Sequence, residues 1–361
     1  MKKYRYNTAA FLVIILLATS KMFAAEVTKE YHKEFTAKPA TTLDINSKYG
    51  NVTIVSWDSP KIVIEVKITV NRPSKENAEK DISNISVLFS EDGNTIKART
   101  EFNSRHFSRG IINNNRNDNI TVDYNIKMPV ATALTLDNSY GNTFINELSG
   151  LVNLRIGYGN LTVDKLTRGD EKPWNNISLR YGNGTIEEAG WLTLNVQYAG
   201  NLNISKCAEV LLDGRYSKIN FGEVNSIVGE GNYNEIMIDN IKNLTLDSRY
   251  SNVNIKTLTN NLTLDIGYGA LMVHNITTGF ESIKVETRYA PVKLGIADNA
   301  NYELNSEVRY GRVDYDNNKF NINRRIQENN LLTIVGIMGQ EAAPKAKVKI
   351  EAAYATVSLV K

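Results

Sequence analysis

One dipeptide pattern recurs along most of this 361-residue chain: a tyrosine followed by glycine, alanine or serine, and once by asparagine. From Tyr140 to Tyr268 the successive steps are 18, 23, 17, 18, 17, 17 and 18 residues, and two steps of 21 residues then lead to Tyr310. A fixed period of this size predicts a solenoid, in which each repeat packs only on its neighbours. The repeat tyrosines are Tyr49, Tyr140, Tyr158, Tyr181, Tyr198, Tyr216, Tyr233, Tyr250, Tyr268, Tyr289, Tyr310 and Tyr354.

The residues around each tyrosine alternate between apolar and polar. Segment 244–255 (LTLDSRYSNVNI) carries apolar residues six and four positions before its tyrosine, and three and five positions after it. A period of two indicates short β-strands with one buried face, and no repeat shows the 3.6-residue period of a helix. We therefore predict an all-β fold: a parallel β-helix or β-solenoid of about a dozen stacked two-strand units, here called rungs.

The tyrosines share the sequence parity of the inward-facing apolar residues. We expect their rings to form a core ladder that stacks from rung to rung at one corner of the coil, and a strip of tyrosines that grips sugar rings is the alternative. The small residue after each tyrosine is expected to permit a sharp bend or a left-handed conformation. Asparagines that often follow are expected to form a second ladder with a spacing of about 4.8 Å. The predicted structural ladder is Tyr140, Tyr158, Tyr181, Tyr198, Tyr216, Tyr233, Tyr250, Tyr268, Tyr289 and Tyr310.

Charged residues recur at two fixed positions with the opposite parity, which predicts that they lie on the outer face. An exposed lattice of ion pairs, each contributing about 0–1 kcal/mol, is the favoured interpretation. A charged strip that binds an anionic polymer or calcium is the alternative. The acids, three positions before the tyrosine, are Asp137, Asp213, Glu230, Asp247, Asp265, Glu286, Glu307 and Glu351. The arginines, one position before it, are Arg180, Arg215, Arg249, Arg288 and Arg309.

The 23-residue step contains an inserted loop at residues 168–174 (RGDEKPW). Its Arg-Gly-Asp triplet can act as a cell-attachment signal elsewhere, but short triplets also arise by chance, and an exposed turn is the favoured interpretation. Trp174 and the nearby Trp191 are better candidates, because exposed aromatic residues often anchor partners. A place for Trp191 in the core is the alternative. The candidate contact patch is therefore Arg168, Asp170, Trp174 and Trp191.

Residues 1–25 have the features of a secretory signal peptide. Three basic residues precede an apolar run at 9–18, and small residues lie at 24 and 25, near the expected cleavage site. An uncleaved N-terminal anchor is the alternative. The whole sequence has 42 basic and 39 acidic residues, and removing this segment leaves 38 and 39, a net charge of −1. The electrostatic argument for a nucleic-acid partner is thereby lost.

The period is interrupted between Tyr49 and Tyr140. Ser74 is a predicted N-cap of a short helix, and residues 102–119 are a predicted loop. We divide the chain into the signal peptide at 1–25, an N-terminal β-rich region with the first rung at 26–135, and the solenoid at 136–361. Residues 317–345 are expected to hold a degenerate rung or a cap, with a strand at 331–338. Strands are predicted at 51–57, 61–70, 85–89, 95–100 and 120–128.

The sequence contains no recognisable catalytic or metal-binding motif. Cys207 is the only cysteine, which excludes an intrachain disulfide, and it shares no ligand spacing with the three histidines. Some β-helices are polysaccharide lyases or hydrolases that use carboxylates and basic residues on one outer face. Here those residues recur in rung after rung, whereas an active site should interrupt the pattern locally. We therefore expect no enzymatic activity and no cofactor.

Several segments together resemble a known bacterial family. They are Lys48–Ile54 (KYGNVTI), Trp57–Pro60 (WDSP), Tyr124–Pro129 (YNIKMP) and the tandem Tyr-Gly-Asn rungs. The chain resembles, over residues 41–361, the "putative adhesin" β-solenoid family, a domain of unknown function in Bacteroidetes-type cell envelopes. The resemblance implies a right-handed parallel β-helix-like fold and an exported location, and it offers no catalytic residues.

The repeat and the resemblance favour an exported, non-enzymatic cell-envelope protein. We expect it in the periplasm or on the outer surface of a Gram-negative bacterium, where a rigid face contacts protein or glycan. A carbohydrate-binding or carbohydrate-cleaving β-helix protein is one alternative. A periplasmic structural or regulatory component is the other.

Overall fold

The structure, a computed structural model, describes residues 25–103, 119–316 and 320–359. In these ranges the chain forms 26 strands and one helix, and the strands belong to one hydrogen-bonded network. The predicted all-β solenoid is confirmed. The predicted signal peptide, apart from Ala25, and residues 104–118 of the predicted loop lie outside the described residues.

The N-terminal part supplies the first rung and covers one end of the solenoid. Its elements are β1 (Ala25–Thr36), β2 (Thr42–Lys48), β3 (Val52–Trp57), β4 (Lys61–Arg72), α1 (Lys75–Ser83), β5 (Ile85–Asp92), β6 (Thr95–Phe102) and β7 (Asn119–Pro129). The Ser74 hydroxyl accepts a hydrogen bond from the Asn77 backbone N–H, which confirms the predicted N-cap. The five predicted strands are present as β3 to β7, and β5 and β6 form an antiparallel hairpin.

Each rung contributes one strand before its tyrosine and one after it. The strands before the tyrosines pair in parallel as a first stack, and those after them as a second stack. In the middle of the solenoid, single strands of 15 or 16 residues span both stacks. The solenoid strands are β8 (Ala133–Ser139), β9 (Thr143–Leu148), β10 (Val152–Gly157), β11 (Leu161–Leu166), β12 (Asn175–Arg180), β13 (Asn183–Gln197), β14 (Asn201–Arg215), β15 (Lys218–Asn232), β16 (Glu235–Arg249), β17 (Asn252–Gly267), β18 (Ala270–Ile276), β19 (Ser282–Arg288), β20 (Val292–Ile296), β21 (Tyr302–Arg309) and β22 (Arg312–Asp314).

The core lies between the two stacks. Alternate residues of each strand face it, as the period of two predicts, and Leu246, Leu264 and Val285 form one such buried row. Buried apolar side chains from Leu43 to Leu359 belong to a single cluster. β2 pairs directly with β8, so the N-terminal strands continue the same stack as the repeats. The predicted division at residue 135 stays a prediction about folding units.

The rungs at the C-terminal end do not stack in sequence order. The last strands are β23 (Phe320–Glu328), β24 (Leu331–Met338), β25 (Ala346–Ala353) and β26 (Thr356–Ser358). β25 pairs in parallel with both β19 and β21, and β26 pairs with both β20 and β22. The rung of Tyr354 is therefore inserted between the rungs of Tyr289 and Tyr310. The antiparallel hairpin of β23 and β24 pairs along the edge of β21 that β25 leaves free, which confirms the predicted strand at 331–338. Of the two structures expected within 317–345, a degenerate rung or a cap, the hairpin is the cap.

The linker from β24 to β25 crosses over the start of β21 and is held there by one side chain. Oδ1 of Asn301 accepts hydrogen bonds from the backbone N–H groups of Gln340 and Glu341, at 2.8 and 3.4 Å. Gly339, which begins the linker, has a φ of 94°, a conformation that strongly favours glycine. The linker thus has a fixed path that carries the chain to the inserted rung.

Candidate functional site: the two edges of the solenoid

All twelve repeat tyrosines lie on one edge of the solenoid, where the chain passes from the first stack to the second. From Tyr140 to Tyr289, neighbouring rings stack with centroids 4.7–5.1 Å apart and planes inclined by 1–13°. Tyr354 lies between Tyr289 and Tyr310, 4.7 Å from each. The expected rung-to-rung stacking is therefore present. Its contribution to stability stays a prediction.

The tyrosine rings lie outside the core, so the expectation that they form a core ladder is wrong. From Tyr140 to Tyr354 each repeat tyrosine is 47–56% exposed. The cause is the backbone of the tyrosine itself, whose φ is between 52° and 64° in all twelve rungs. This left-handed conformation turns outward a side chain that would face the core in an extended strand. Because each inner ring has a neighbour on both faces, the inner tyrosines offer no free face to a sugar.

The small residue after the tyrosine has a different role from the one expected. The left-handed conformation belongs to the tyrosine, and a Cβ on Gly159 would instead overlap the carbonyl oxygen of Gly141 in the preceding rung. Glycine there permits a close approach of two backbones. In the middle rungs the residue after the tyrosine is not glycine, and side chains bond the corner backbone instead. The N–H of Ala199 donates to Ser217 Oγ at 3.1 Å, and the N–H of Ser217 donates to Asn234 Oδ1 at 2.9 Å.

The predicted asparagine ladder is present along the first four rungs. The backbone N–H of Asn142 donates to Oδ1 of Asn51, that of Asn160 to Asn142, and that of Asn183 to Asn160, each at 3.0 Å. Each side-chain amide therefore bonds the backbone of the next rung rather than another amide. These bonds tie consecutive corners together beside the tyrosines.

The recurring acids and arginines lie on the outer face of the first stack, as predicted. Arg249 pairs with Asp247 of its own strand at 2.8 Å and with Asp265 of the next strand at 2.9 Å. Arginine occupies every second strand, which keeps the guanidinium groups about 9.6 Å apart, whereas the acids from Asp213 to Glu307 lie on consecutive strands. In spatial order this row is Arg180, Gln197, Arg215, Asn232, Arg249, Gly267, Arg288, Ala353 and Arg309. The inserted rung supplies Ala353, which separates two arginines that would otherwise be neighbours.

The candidate contact patch lies on the opposite edge, where the chain returns from the second stack to the first. The rings of Trp174 and Trp191 have centroids 4.8 Å apart and planes inclined by 48°. Nε1 of Trp174 donates to the Asp170 carbonyl at 3.3 Å. Nε of Arg168 donates to the carbonyl of Pro173 at 3.3 Å, and the guanidinium pairs with Glu171 at 3.2 Å. The loop thus holds one tryptophan against the other.

The members of this patch differ in accessibility. The Arg168 side chain is only 16% exposed and is engaged by its own loop, so it is not presented to solvent as a free cation. Asp170 is exposed, whereas Trp174 and Trp191 are half-buried. Trp191 is therefore neither fully buried in the core nor fully exposed at the surface, the two alternatives considered for it. The assignment of these residues as a contact patch stays a prediction.

An open cleft of about 620 Å³ extends from this loop along the same edge. It is lined by the corners of successive rungs, including Arg168, Gly190, Ala208, Asn225 and Lys242. Because these corners belong to consecutive strands, the cleft is elongated along the solenoid axis. This cleft was not predicted from the sequence.

The third tryptophan of the chain lies on the same edge, a placement that the sequence argument missed. Trp57 lines a second cleft of about 410 Å³ together with Pro39, Pro60 and Val130. Corner hydrogen bonds connect the two clefts: the N–H of Ser149 donates to the Val130 carbonyl at 2.8 Å, and the next corner repeats this bond one rung further on. We call this surface the tryptophan edge (Trp57, Trp174 and Trp191). Trp57 ends the strand after Tyr49, so counting positions through a rung would have placed it at this corner.

Among the described residues, neither the cysteine nor the metal-ligating residue types form a nucleophilic or metal site. Sγ of Cys207 donates to the Gly190 carbonyl at 3.1 Å, and burial raises the pKa of the thiol to about 12. A thiol protonated at neutral pH is a poor nucleophile. Within residues 25–103, 119–316 and 320–359, no group of histidine, cysteine or carboxylate side chains could hold a metal ion. His106 lies outside those ranges.

Comparison with known proteins yields matches among solved structures only. No family model matches the chain, and no curated protein matches it. A putative cell adhesion protein from Clostridium sporogenes is 12% identical and aligns over 92% of this chain and 99% of its own, with a TM-score of 0.20. A putative adhesin from Bacteroides fragilis is 13% identical over 92% and 97%, with a TM-score of 0.30. A putative lipid binding protein from Parabacteroides distasonis is 10% identical over 92% and 97%, with a TM-score of 0.33.

These proteins are similar to the chain along its length, and two of the three bear adhesin-type names like that of the family resembled in sequence. Among the described residues, no helix has the length and apolar character needed to cross a membrane.

Proposed function

We propose that the protein is an exported, non-enzymatic cell-envelope protein of the adhesin type, which uses the tryptophan edge to contact protein or glycan. The single observation that carries this proposal is the gathering of all three tryptophans on one edge, beside clefts of about 620 and 410 Å³. Partly exposed aromatic side chains next to a concavity are typical anchors of a binding surface, and all three tryptophans are half-buried. The opposite edge carries the tyrosine stack, and the outer face of the first stack carries rows of acids and arginines.

Export is supported by residues 1–25, with their basic start, apolar run and small residues near a cleavage site. The chain also needs no disulfide, because a single continuous core and two strand stacks hold it together. A long stack of short rungs is suited to a rigid surface that projects binding groups at fixed spacing.

The location is tested by protease accessibility on intact and permeabilised cells, with an antibody as the probe. Cleavage on intact cells is expected if the protein acts as a surface adhesin. Protection until the outer membrane is permeabilised would instead favour a periplasmic structural or regulatory component.

The contact surface is tested by adhesion of cells that display the Trp174→Ala/Trp191→Ala double variant. Adhesion to the surface that wild-type cells bind should fall strongly, while Leu88→Ala serves as the matched control. Leu88 is 51% exposed but lies on β5, away from the tryptophan edge. Equal adhesion by the double variant would contradict the proposed surface.

A further inference from the structure

We infer that the occupant of the tryptophan edge is a linear, uncharged glycan chain that lies along the solenoid axis. This inference rests on the proposed function and names the ligand class of the same surface. The larger cleft is bounded by six successive corners, from Thr167 to Thr259. Five strand spacings give it a length of about 24 Å. Such an open, elongated cleft fits a chain molecule better than a compact one.

The backbone around the cleft argues against a peptide. An extended peptide binds a β-protein most readily by pairing with a free strand edge. Here β13, β14, β15 and β16 pair with one another on both sides of each corner, and only single corner residues such as Gly190 and Ala208 are skipped, so the cleft offers no free strand edge. A peptide in the cleft would lose the hydration of its own backbone groups without gaining a strand partner.

The side chains that line the cleft instead suit a ligand rich in hydroxyl groups. Glu188, Lys206, Glu223 and Asn240 occupy one row on consecutive strands. Within the part of the chain that the structure describes, none of these four side chains makes a hydrogen bond or an ion pair. They therefore offer free donors and acceptors, and a hydroxyl can serve either kind of group.

Negatively and positively charged side chains alternate in this row, which disfavours the binding of a charged polymer. Glu188 and Glu223 flank Lys206 on neighbouring strands, so positive and negative groups lie about 4.8 Å apart. A polyanion would meet the two carboxylates, and a polycation would meet the lysine. An uncharged glycan avoids both repulsions and can bond each group in turn.

The aromatic residues supply the remaining element of a glycan site. The apolar face of a sugar ring packs on the face of an aromatic ring, and a few directed polar groups then fix its orientation. Trp191 lines the cleft, and its plane is inclined by 48° to that of Trp174, so the two rings do not cover each other as parallel stacked rings would. The inner tyrosines cannot take this role, because their neighbours cover both ring faces.

Affinity gel electrophoresis of the purified chain in soluble β-glucan, xylan, mannan or starch tests the inference, with alginate as the acidic polymer. One neutral polysaccharide is expected to retard the wild type, and Trp191→Ala should weaken binding roughly tenfold or more. Trp191→Phe should retain part of the affinity, and Leu88→Ala all of it. Because Trp191 is half-buried, the exposed Lys206→Ala variant provides a second test, and it should also bind more weakly.

Two results would overturn the inference. One is the absence of retardation by every neutral polysaccharide, and the other is stronger, salt-dependent retardation by alginate. If either occurs while the Trp174→Ala/Trp191→Ala variant still loses cell adhesion, the contact surface stands and only the ligand class is wrong. If glycan binding is found but adhesion is unaffected by that variant, the adhesin role fails and the glycan site stands.

Discussion

Tyr233 offers a direct test of why twelve tyrosines adopt a conformation that side chains rarely take. Its φ is 58°, its ring is 47% exposed, and its neighbours Tyr216 and Tyr250 stack on it with centroids 4.7 Å away on both faces. The hypothesis is that ring stacking offsets the strain of a left-handed L-residue. Replacement by alanine removes the ring and keeps the strain, whereas replacement by glycine removes both.

The magnitude follows from these contacts. Two ring pairs contribute about 0.5–1.5 kcal/mol each beyond area burial. Roughly half of the tyrosine surface is covered, about 100 Å², which adds about 2.5 kcal/mol. Tyr233→Ala should therefore lower the free energy of unfolding by about 4 kcal/mol. The left-handed conformation costs an L-residue about 1–2 kcal/mol, and glycine loses about 0.5–1 kcal/mol of this advantage through its extra unfolded-state entropy. Tyr233→Gly should thus be less destabilised than Tyr233→Ala, by roughly 0.5–1 kcal/mol.

Urea unfolding at equilibrium, followed by far-UV circular dichroism and tryptophan fluorescence, measures the three variants against the wild type. Tyr233→Phe is the matched control, because the Tyr233 hydroxyl makes no hydrogen bond within the described ranges, and it should stay within about 0.5 kcal/mol. A loss below about 1 kcal/mol for Tyr233→Ala would refute the stabilising role of the stack. Equal or greater loss for Tyr233→Gly would refute the strain argument.

Three further predictions concern packing, pH and modularity. Gly159→Ala should cost about 1–3 kcal/mol because its Cβ would overlap the backbone of the preceding rung, whereas Gly169→Ala, with no atom within 4 Å, should have almost no effect; equal urea midpoints would contradict this. Burial raises the pKa of both Cys207 and Tyr124 to about 12, from ordinary values of 9.0 and 10.0. The stability that these two neutral groups contribute is therefore fully present below pH 9, and it should fall from there toward pH 12 by up to about 1.4 kcal/mol per pH unit and group. Tyr124→Phe should reduce the slope of the urea midpoint against pH, and an unchanged slope would contradict this. Deleting the 17 residues 244–260 should leave a folded, shorter rod by circular dichroism and small-angle scattering, because Ile241 and Leu258, which are 17 positions apart, are already in register, so one corner replaces the next. Complete unfolding would contradict the modular solenoid.

Much of the fold follows from periodicity, because local alternation decides which side chains are buried. The apolar row through Leu246 and Leu264 and the acids of the outer face could each be placed from parity alone. Parity failed at the tyrosines, because it assumes an extended backbone at every residue. A left-handed residue reverses the direction of its side chain, and a pattern of residue types carries little information about φ.

The spatial order of the last rungs could not be obtained from the spacing of tyrosines, which records only position along the chain. A signal was nevertheless present in the arginines. Arg288 and Arg309 would be adjacent if rungs stacked in sequence order, although every earlier arginine is followed in the stack by an uncharged residue. Ala353 is the uncharged residue that restores the alternation. The tryptophan edge could be predicted only in part, because its members come from different rungs and Trp57 lies far from the other two in sequence.

The inserted rung has a consequence for how the molecule is completed during its synthesis. A regular solenoid can lengthen one turn at a time as the chain emerges, since each new turn needs only the one before it. Here the rung of Tyr310 is synthesised before the rung of Tyr354, which lies between it and the rung of Tyr289. The position between these two rungs therefore stays unfilled until β25 and β26 have been synthesised. A chain interrupted before residue 346 would leave two facing strand edges open, a state prone to association with other chains. The stack is therefore complete only after β25 and β26 have been synthesised.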